Sequence, residues 1–352
     1  MRIKYCLIFL FLFSFSKLFA QEDPLFTFFP WGQAFYNPGA MGEKENHLNF
    51  VGILRQQSMG MGEKDSIKDK NNTNPDNGEF SNKSQGGQQV LIHIDSYIKQ
   101  IKGAVGVTFL KDKNGDKFDN IGFRLGYAAK LRVRRGKLGI GVQLGFLNTK
   151  PTSSKLNPFD NPDDTVTQFE GDQASVMDFD MNFGLHYRTP TWYAGISCSR
   201  LLGGGVRISG DKDIIDVPQQ LYVTGGYIWD LKTAIPWSIE PHLLIRTNLA
   251  TWQLDLLALA RYNGILWFGL SYQLDNAVAV LFGAVPFYNN ASEYLKGLEL
   301  GLAYSFDTKK FGYKANGSWG DFELVVRYGF NFYKEKVLTG YGSSRHLYKN
   351  QY

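Results

Sequence analysis

Between Lys296 and Asp307 the chain alternates without a break. Leu298, Leu300, Leu302, Tyr304 and Phe306 hold one parity, and Gly297, Glu299, Gly301, Ala303, Ser305 and Asp307 hold the other. Successive residues of a strand point to opposite faces, so the pattern makes one face apolar and one wet. Asp321 to Asn331 repeats it, with Phe322, Leu324, Val326, Tyr328 and Phe330 set against Asp321, Glu323, Val325, Arg327, Gly329 and Asn331. So does Met177 to Arg188, where Met177, Phe179, Met181, Phe183, Leu185 and Tyr187 face away from Asp178, Asp180, Asn182, Gly184, His186 and Arg188. Several apolar sets end in Trp, Tyr or Phe, as an interfacial girdle would.

The same reading predicts strands near 46–58, 88–98, 101–111, 119–134, 137–148, 177–188, 191–201, 219–231, 237–248, 251–262, 265–274, 277–288, 296–307 and 320–332. That is fourteen, an even number, as an antiparallel bacterial barrel needs, and most match the ~9–11 residues that cross a bilayer. Connections add a parity of their own. Residues 59–87, 149–176, 202–218 and 308–319 are long and fall on one side, whereas Arg135-Gly136, Thr189-Pro190 and Asn263-Gly264 are tight and fall on the other. Long external loops and short periplasmic turns are the outer-membrane arrangement. The expected fold is therefore an all-β transmembrane barrel of about 14 strands over residues 46–333. Its outward Leu300 should resist substitution by Arg at a cost of ~2–4 kcal/mol, while the inward Glu299 should tolerate change.

Composition agrees where it bears on the question. Gly numbers 38 and aromatics reach 15%, while mean hydropathy stays slightly negative, which suits a chain in which only alternate residues meet lipid. Residues 1–20 read as a signal peptide for Sec-dependent export: Arg2 and Lys4 precede the apolar run Leu7 to Phe15, and Ala20 offers a small residue for cleavage. Cleavage there removes three basic residues, taking 38 to 35 against 33 acidic. The mature chain is nearly neutral, which argues against a nucleic-acid partner. It keeps one cysteine, Cys198, so no intramolecular disulfide can form. The polar stretch KDKNNTNPDNGEFSNKSQGG reads as a solvated loop.

The segment that follows the signal is unlike the rest. QEDPLFTFFPWGQAFYNPGAMG packs Phe26, Phe28, Phe29, Trp31, Phe35 and Tyr36 into eleven residues, interrupts them with Pro30 and Pro38, and turns at Asn37-Pro38-Gly39. Six such rings left in water would form a large unexplained patch. The expectation is that residues 21–45 form an irregular or one-turn segment in the periplasmic mouth of the barrel. There Phe26, Phe28, Phe29, Trp31, Phe35, Tyr36, Asn37 and Pro38 would plug the lumen or dock a partner, with Asn37 to Gly42 leading into the first strand.

DPLFTFFPWGQAFYNPGAMG resembles the opening of the PorP/SprF family, which runs Asp-Pro, aromatics, then Tyr-Asn-Pro-Ala-Tyr-Ala-Gly. NFVGILRQQ is similar to the family's first strand with its Arg-Asn-Gln, and GVTFLKDKNG with LGYAAKLRVRRGKLGIGVQLGF to its second block. WYAGIS, YVTGGYIW, PHLLIR, QLDL, FGLSY and GLELGLAYSFD follow in the family's order. Gly39, Met41, Trp319 and a tail from 334 to 352, assigned here to the periplasm, depart from the pattern. The resemblance implies a non-enzymatic outer-membrane component of type IX protein secretion, without cofactor. It further implies support for secretion or surface attachment of cargo such as gliding-motility adhesins. Partners implied are outer-membrane lipid, a periplasmic ring lipoprotein with its associated proteins, and the secreted cargo.

Other features suggest chemistry and are better explained by structure. Asp112-Lys113-Asn114-Gly115-Asp116 spaces oxygens like a calcium loop, but Lys117 stands where Gly is needed and Phe123 where a bidentate Glu is needed. Glu240, His242 and Arg246 share a predicted lumen face, and Asp178, Asp180 and His186 share another; their spacing shows no catalytic triad, and paired lumen charges are the expectation. Cys198 shares a parity with Trp192, Ala194 and Ile196, on the lipid side, where a catalytic thiol has no place. Asp65-Ser66-Ile67 and Asp164-Thr165-Val166 resemble an O-glycosylation sequon in external loops. The competing function is a 14-stranded diffusion channel or hydrophobic-substrate transporter, since fourteen strands enclose a lumen wide enough to conduct unless something fills it.

Overall fold

The computed structural model describes residues 23–43, 47–57, 86–114, 118–151, 176–202, 204–207, 213–217, 219–231, 236–274, 276–288, 297–308 and 320–331. The signal peptide, the polar stretch up to residue 85, the sequons at Ser66 and Thr165, and the tail from 334 lie outside them.

The alternating segments become fourteen antiparallel strands closed into a barrel. These are β1 (His47–Gln56), β2 (Gln88–Ile98), β3 (Gly103–Asn114), β4 (Phe118–Val133), β5 (Gly136–Pro151), β6 (Val176–Arg188) and β7 (Trp192–Ser199). After them come β8 (Gln220–Tyr227, resuming as Trp229–Leu231), β9 (Trp237–Thr247), β10 (Trp252–Tyr262), β11 (Leu266–Gln273), β12 (Ala277–Ala284), β13 (Leu298–Asp307) and β14 (Asp321–Asn331). Each strand pairs with its sequence neighbours, and the ring shuts where β1 runs against β14 from His47↔Asn331 to Gln56↔Phe322. Closure leaves no edge, so the main-chain groups of every strand find partners within the sheet, which is the condition for strands to cross hydrocarbon. A two-stranded hairpin, Gly204–Arg207 with Asp213–Val217, forms a second small sheet beside β6.

Turn chemistry fixes the register at the end that carries the barrel's termini. Asn263 and Gly264 have φ of 51° and 66°, the left-handed pair of a type I′ turn that the Ile265 amide closes on the Tyr262 carbonyl at 3.0 Å, and Asn-Gly is the sequence best able to adopt it. Between β6 and β7 the Thr189 hydroxyl oxygen accepts from the amides of Thr191 and Trp192 at 3.3 and 3.0 Å. The three tight turns expected from the sequence fall at this end, the first displaced by one residue to Arg134-Arg135 because Gly136 already pairs with Val133; the strand ends that flank residues 58–85, 152–175 and 309–319 lie at the other.

The faces are inverted relative to a soluble protein. Outward side chains are apolar and bare: Leu144 is 57% exposed, Phe179 68%, Trp252 65% and Leu270 63%. Inward positions bury Arg55, Arg124, Asp95, Glu299 and Glu323. A continuous apolar outer wall of this kind is stable against lipid and not against water. No helix among the described residues is long and apolar enough to cross a membrane; the strands do so instead.

Candidate functional site

The lumen is not empty. Residues 23–43 run through it as an irregular chain with one α-helical turn, α1 (Gln33–Tyr36), and one 3-10 turn, Pro38–Ala40. Pro30 and Pro38 keep both turns short, because each lacks the amide a longer helix would require. The Asn37 side chain starts the second turn by accepting from the Gly39 amide at 2.9 Å.

The aromatic side chains form the core of the molecule. Phe26, Phe28, Phe29, Trp31, Phe35 and Tyr36 are at most 7% exposed, and they cluster with wall residues Val51, Ile53, Leu91, Tyr222, Leu244 and Trp267. Trp31 lies 5.0 Å from the Trp267 ring and 5.3 Å from Phe28, centroid to centroid, and Tyr36 lies 5.4 Å from Tyr222. The Arg261 guanidinium sits 5.7 Å over Trp31, and Arg124 sits 5.1 Å over Phe35. At ~1.5–3 kcal/mol per ring, burial of the six is worth roughly 9–18 kcal/mol as an upper bound.

Wall side chains bind the segment mainly through its backbone. The Glu323 carboxylate accepts from the Thr27 amide at 2.9 Å and from its hydroxyl at 2.8 Å, and Arg55 donates to the Leu25 carbonyl. Ser197 donates to the Tyr36 carbonyl at 2.7 Å, Gln143 to Ala34 at 3.3 Å, and Lys130 to Gly39 at 2.8 Å. Asp95 accepts from the Gly42 amide at 2.5 Å, and Arg188 pairs with Glu43 at 2.6 Å. These contacts satisfy main-chain groups that burial would otherwise leave unpaired.

At the end opposite the termini, Asp23 anchors the segment. Its carboxylate takes Arg200 at 2.5 Å, the Tyr222 hydroxyl at 2.9 Å and Ser199 at 3.3 Å, while Arg246 donates to its carbonyl at 2.5 Å. Burial by itself would raise the Asp23 carboxyl, but the Arg200 and Arg124 charges and the hydrogen bonds from Tyr222 and Arg200 hold it well below the usual carboxylate range. Burial pushes the Tyr36 phenol up, keeping it a neutral partner for the Phe26 amide at 3.0 Å and the Pro24 carbonyl at 3.4 Å.

Asn37-Pro38-Gly39 sits in a seat of glycines on the barrel wall. A Cβ on Gly184 would stand 2.1 Å from the Asn37 Oδ1, one on Gly141 2.3 Å from the Pro38 carbonyl carbon, and one on Gly139 2.0 Å from the Gly39 oxygen. Asn37 Nδ2 donates to the wall carbonyls of Leu185 at 2.9 Å and Ile196 at 3.4 Å. Gly39 approaches so closely that its own Cβ would meet Gly139 O, Gly184 O and His186 N within 2.9 Å. Sequence reasoning missed this seat, although the inward parity of Gly139 and Gly141 in KLGIGVQ carried the signal.

Two expectations change in position. The sequence places the segment at the mouth; in the fold it extends from Glu43 at the terminal end to Asp23 near Arg200 and Tyr222, because its backbone partners are distributed along the lumen wall. Asn37 to Gly42 do not merely lead into β1; Asn37 to Ala40 are docked on β4 to β7, and Gly42 is held by Asp95 of β2. Of the inward charges read as a possible acid/base set, Glu240, His242, Arg246 and Asp180 are taken up structurally. Arg261 bridges Glu240 at 3.0 Å and Glu299 at 2.8 Å, His242 meets the Tyr193 hydroxyl at 3.0 Å, and Asp180 pairs with Arg124 at 3.3 Å. These ion pairs lead to the expectation that Glu299 is sensitive to substitution, where its parity alone suggested tolerance. Asp112 faces the lumen and accepts from Gln89 at 2.9 Å; the tip at 115–117 lies outside the described residues. Cys198 is half-buried on the outward face that it shares with Trp192 and Ile196.

Residues 18–328 match the family model described as type IX secretion system membrane protein PorP/SprF. No curated protein matches the chain at a significant level. Among solved structures, the chain is similar to the Acinetobacter baumannii outer membrane protein Omp33 at 7% identity, covering 82% of this chain and 100% of that one, with a TM-score of 0.40. A TodX deltaS2S3 mutant, a monoaromatic hydrocarbon channel, shows 11% identity over 82% of this chain and 91% of its own, with a TM-score of 0.39. A triple mutant of the Rhodopseudomonas blastica porin shows 9% identity over 81% and 99%, with a TM-score of 0.30. Likeness at this level says nothing about function.

Proposed function

This chain belongs to the PorP/SprF family of type IX secretion system membrane proteins, and on that premise we propose that it is a non-enzymatic outer-membrane component that supports secretion or surface attachment of cargo, surface adhesins of gliding motility among them. The family and the fold are those of a secretion-system membrane barrel of the outer membrane and not of an enzyme class. The observation that carries the reading is the family match over residues 18–328, joined to a closed barrel with an occupied lumen. Residues 21–45 act as its plug, with the rings Phe26, Phe28, Phe29, Trp31, Phe35 and Tyr36 as the filling and Asn37-Pro38 as the docking point. Periplasmic partners, a ring lipoprotein and its associates, meet the barrel at the end that carries its termini. The N-terminal 20 residues serve export and are cleaved.

An occupied lumen supports a secretion role over a diffusion channel, because a conducting pore needs a water-filled path that six packed rings close. Deleting the gene should abolish surface display of type IX cargo, in general or for one adhesin, measured by surface labelling of cargo against total cargo. Normal display together with a defect in solute uptake would replace the proposal with the transporter.

A further inference from the structure

The lumen wall has the chemistry of a peptide-binding tunnel. Among the described residues the segment from 23 to 43 joins no strand ladder; it is held by wall side chains directed at its backbone, including Arg55, Glu323, Ser197, Lys130 and Gln143. Side chains that pair with carbonyls and amides accept many sequences, since every peptide offers those groups. Sequence is read at three places: the ring cluster, the Asp23 anchor, and the glycine seat that admits Asn37 and Pro38. The barrel's own closure, through β1 and β14, includes none of these contacts. The segment can therefore leave without breaking a sheet hydrogen bond.

From this geometry we infer that residues 23–43 are a tethered and exchangeable occupant, and that the lumen binds an extended, aromatic-rich peptide in their place. Opening alone is disfavoured by the rings, which would be left in water; a guest that brings equivalent apolar side chains offsets that cost by burying its own. That the natural guest is a segment of an exported polypeptide rests on the secretion role proposed above. The exchange itself does not.

Competition with a tethered segment is steep, because the tether supplies an effective concentration in the mM range. The test therefore weakens the resident and not the guest. Full-length protein carrying Asp23→Asn is titrated in detergent with a fluorescent synthetic peptide of the native sequence from Asp23 to Glu43, followed by anisotropy. Only the guest then brings the carboxylate charge that pairs with Arg200. Saturable binding is expected, at least tenfold tighter than for a peptide bearing the same Asp23→Asn change. A lock across Thr27→Cys and Ser305→Cys, whose native hydroxyl oxygens lie 3.5 Å apart, in a Cys198→Ser background, should remove binding when oxidised and return it on reduction, with oxidation verified by loss of free thiol. Absence of saturable binding, equal binding of the two peptides, or binding that survives a verified lock would each overturn the inference. A negative result here beside lost cargo display in the deletion strain leaves the secretion role standing and removes only the exchange.

Discussion

At the scale of single residues, parity decides which substitutions matter. Leu300 faces out and Glu299 faces in, one position apart. Leu300→Arg is expected to cost ~2–4 kcal/mol, because it places a charge against hydrocarbon. Glu299→Gln is expected to cost about 1–3 kcal/mol for a different reason: Arg261 at 2.8 Å and Arg327 at 3.7 Å lose a charged partner in a buried setting. Urea unfolding in vesicles measures both, and a neutral Glu299→Gln would contradict the assigned network. Asp23 adds a pH dependence with a definite sign. Its carboxyl is depressed in the folded chain, so its pairing stabilises the seated segment above the ordinary aspartate value of ~3.9 and fades as pH falls through the lower folded value. Asp23→Asn is expected to cost ~3–5 kcal/mol of seating at neutral pH, leaving Arg200 buried without its anion. Protease cleavage within 23–43 should rise in the variant at pH 7, and the difference from the native chain should shrink in acid.

At the scale of elements, the contact that matters most joins a three-residue turn to three strands. Asn37-Pro38-Gly39 fits only because β5, β6 and β7 present Gly139, Gly141, Gly184 and Gly195 to it. Gly184→Leu is expected to unseat the turn and expose the segment, since a Cβ alone would stand 2.1 Å from Asn37 Oδ1. Gly329→Ala is the control, having nothing within 4 Å of its Cβ position. Labelling of a cysteine placed at Gln33, in a Cys198→Ser background, should become fast in Gly184→Leu and stay slow in Gly329→Ala. Equal labelling rates would show that the seat does not hold the segment.

At the scale of the whole molecule, the barrel and its filling are separable in principle, since the ladder closes from β1 to β14 without the segment. Protein lacking residues 21–36 is expected to keep a strand-dominated circular dichroism spectrum and anomalous migration on unboiled gels, and to conduct ions in planar bilayers where the full mature chain does not. A closed deletion variant would mean that the rings are not what blocks the lumen. A helix-dominated spectrum would contradict the barrel.

All fourteen strands, their faces and the tight turns were legible in the sequence, because period-two alternation is a local property and lipid enforces it at each residue: Leu298 to Phe306 could face nowhere else. Asn263-Gly264 announced its hairpin for the same reason, a backbone preference that needs no distant partner. The aromatic segment announced only that its rings must leave water. Where they go was settled by tertiary structure, since Glu323 lies 296 positions from Thr27 and Arg246 lies 223 from Asp23, and no local pattern couples such distant groups. The inward rings Tyr193, Tyr222 and Trp267 are of the same kind: parity places Tyr193 opposite Trp192, but only the closed barrel sets these rings against the segment. The glycine seat is the sharpest case. Alternating glycines in KLGIGVQ read as a featureless wet face until a turn from another part of the chain occupies the space that their missing Cβ atoms leave.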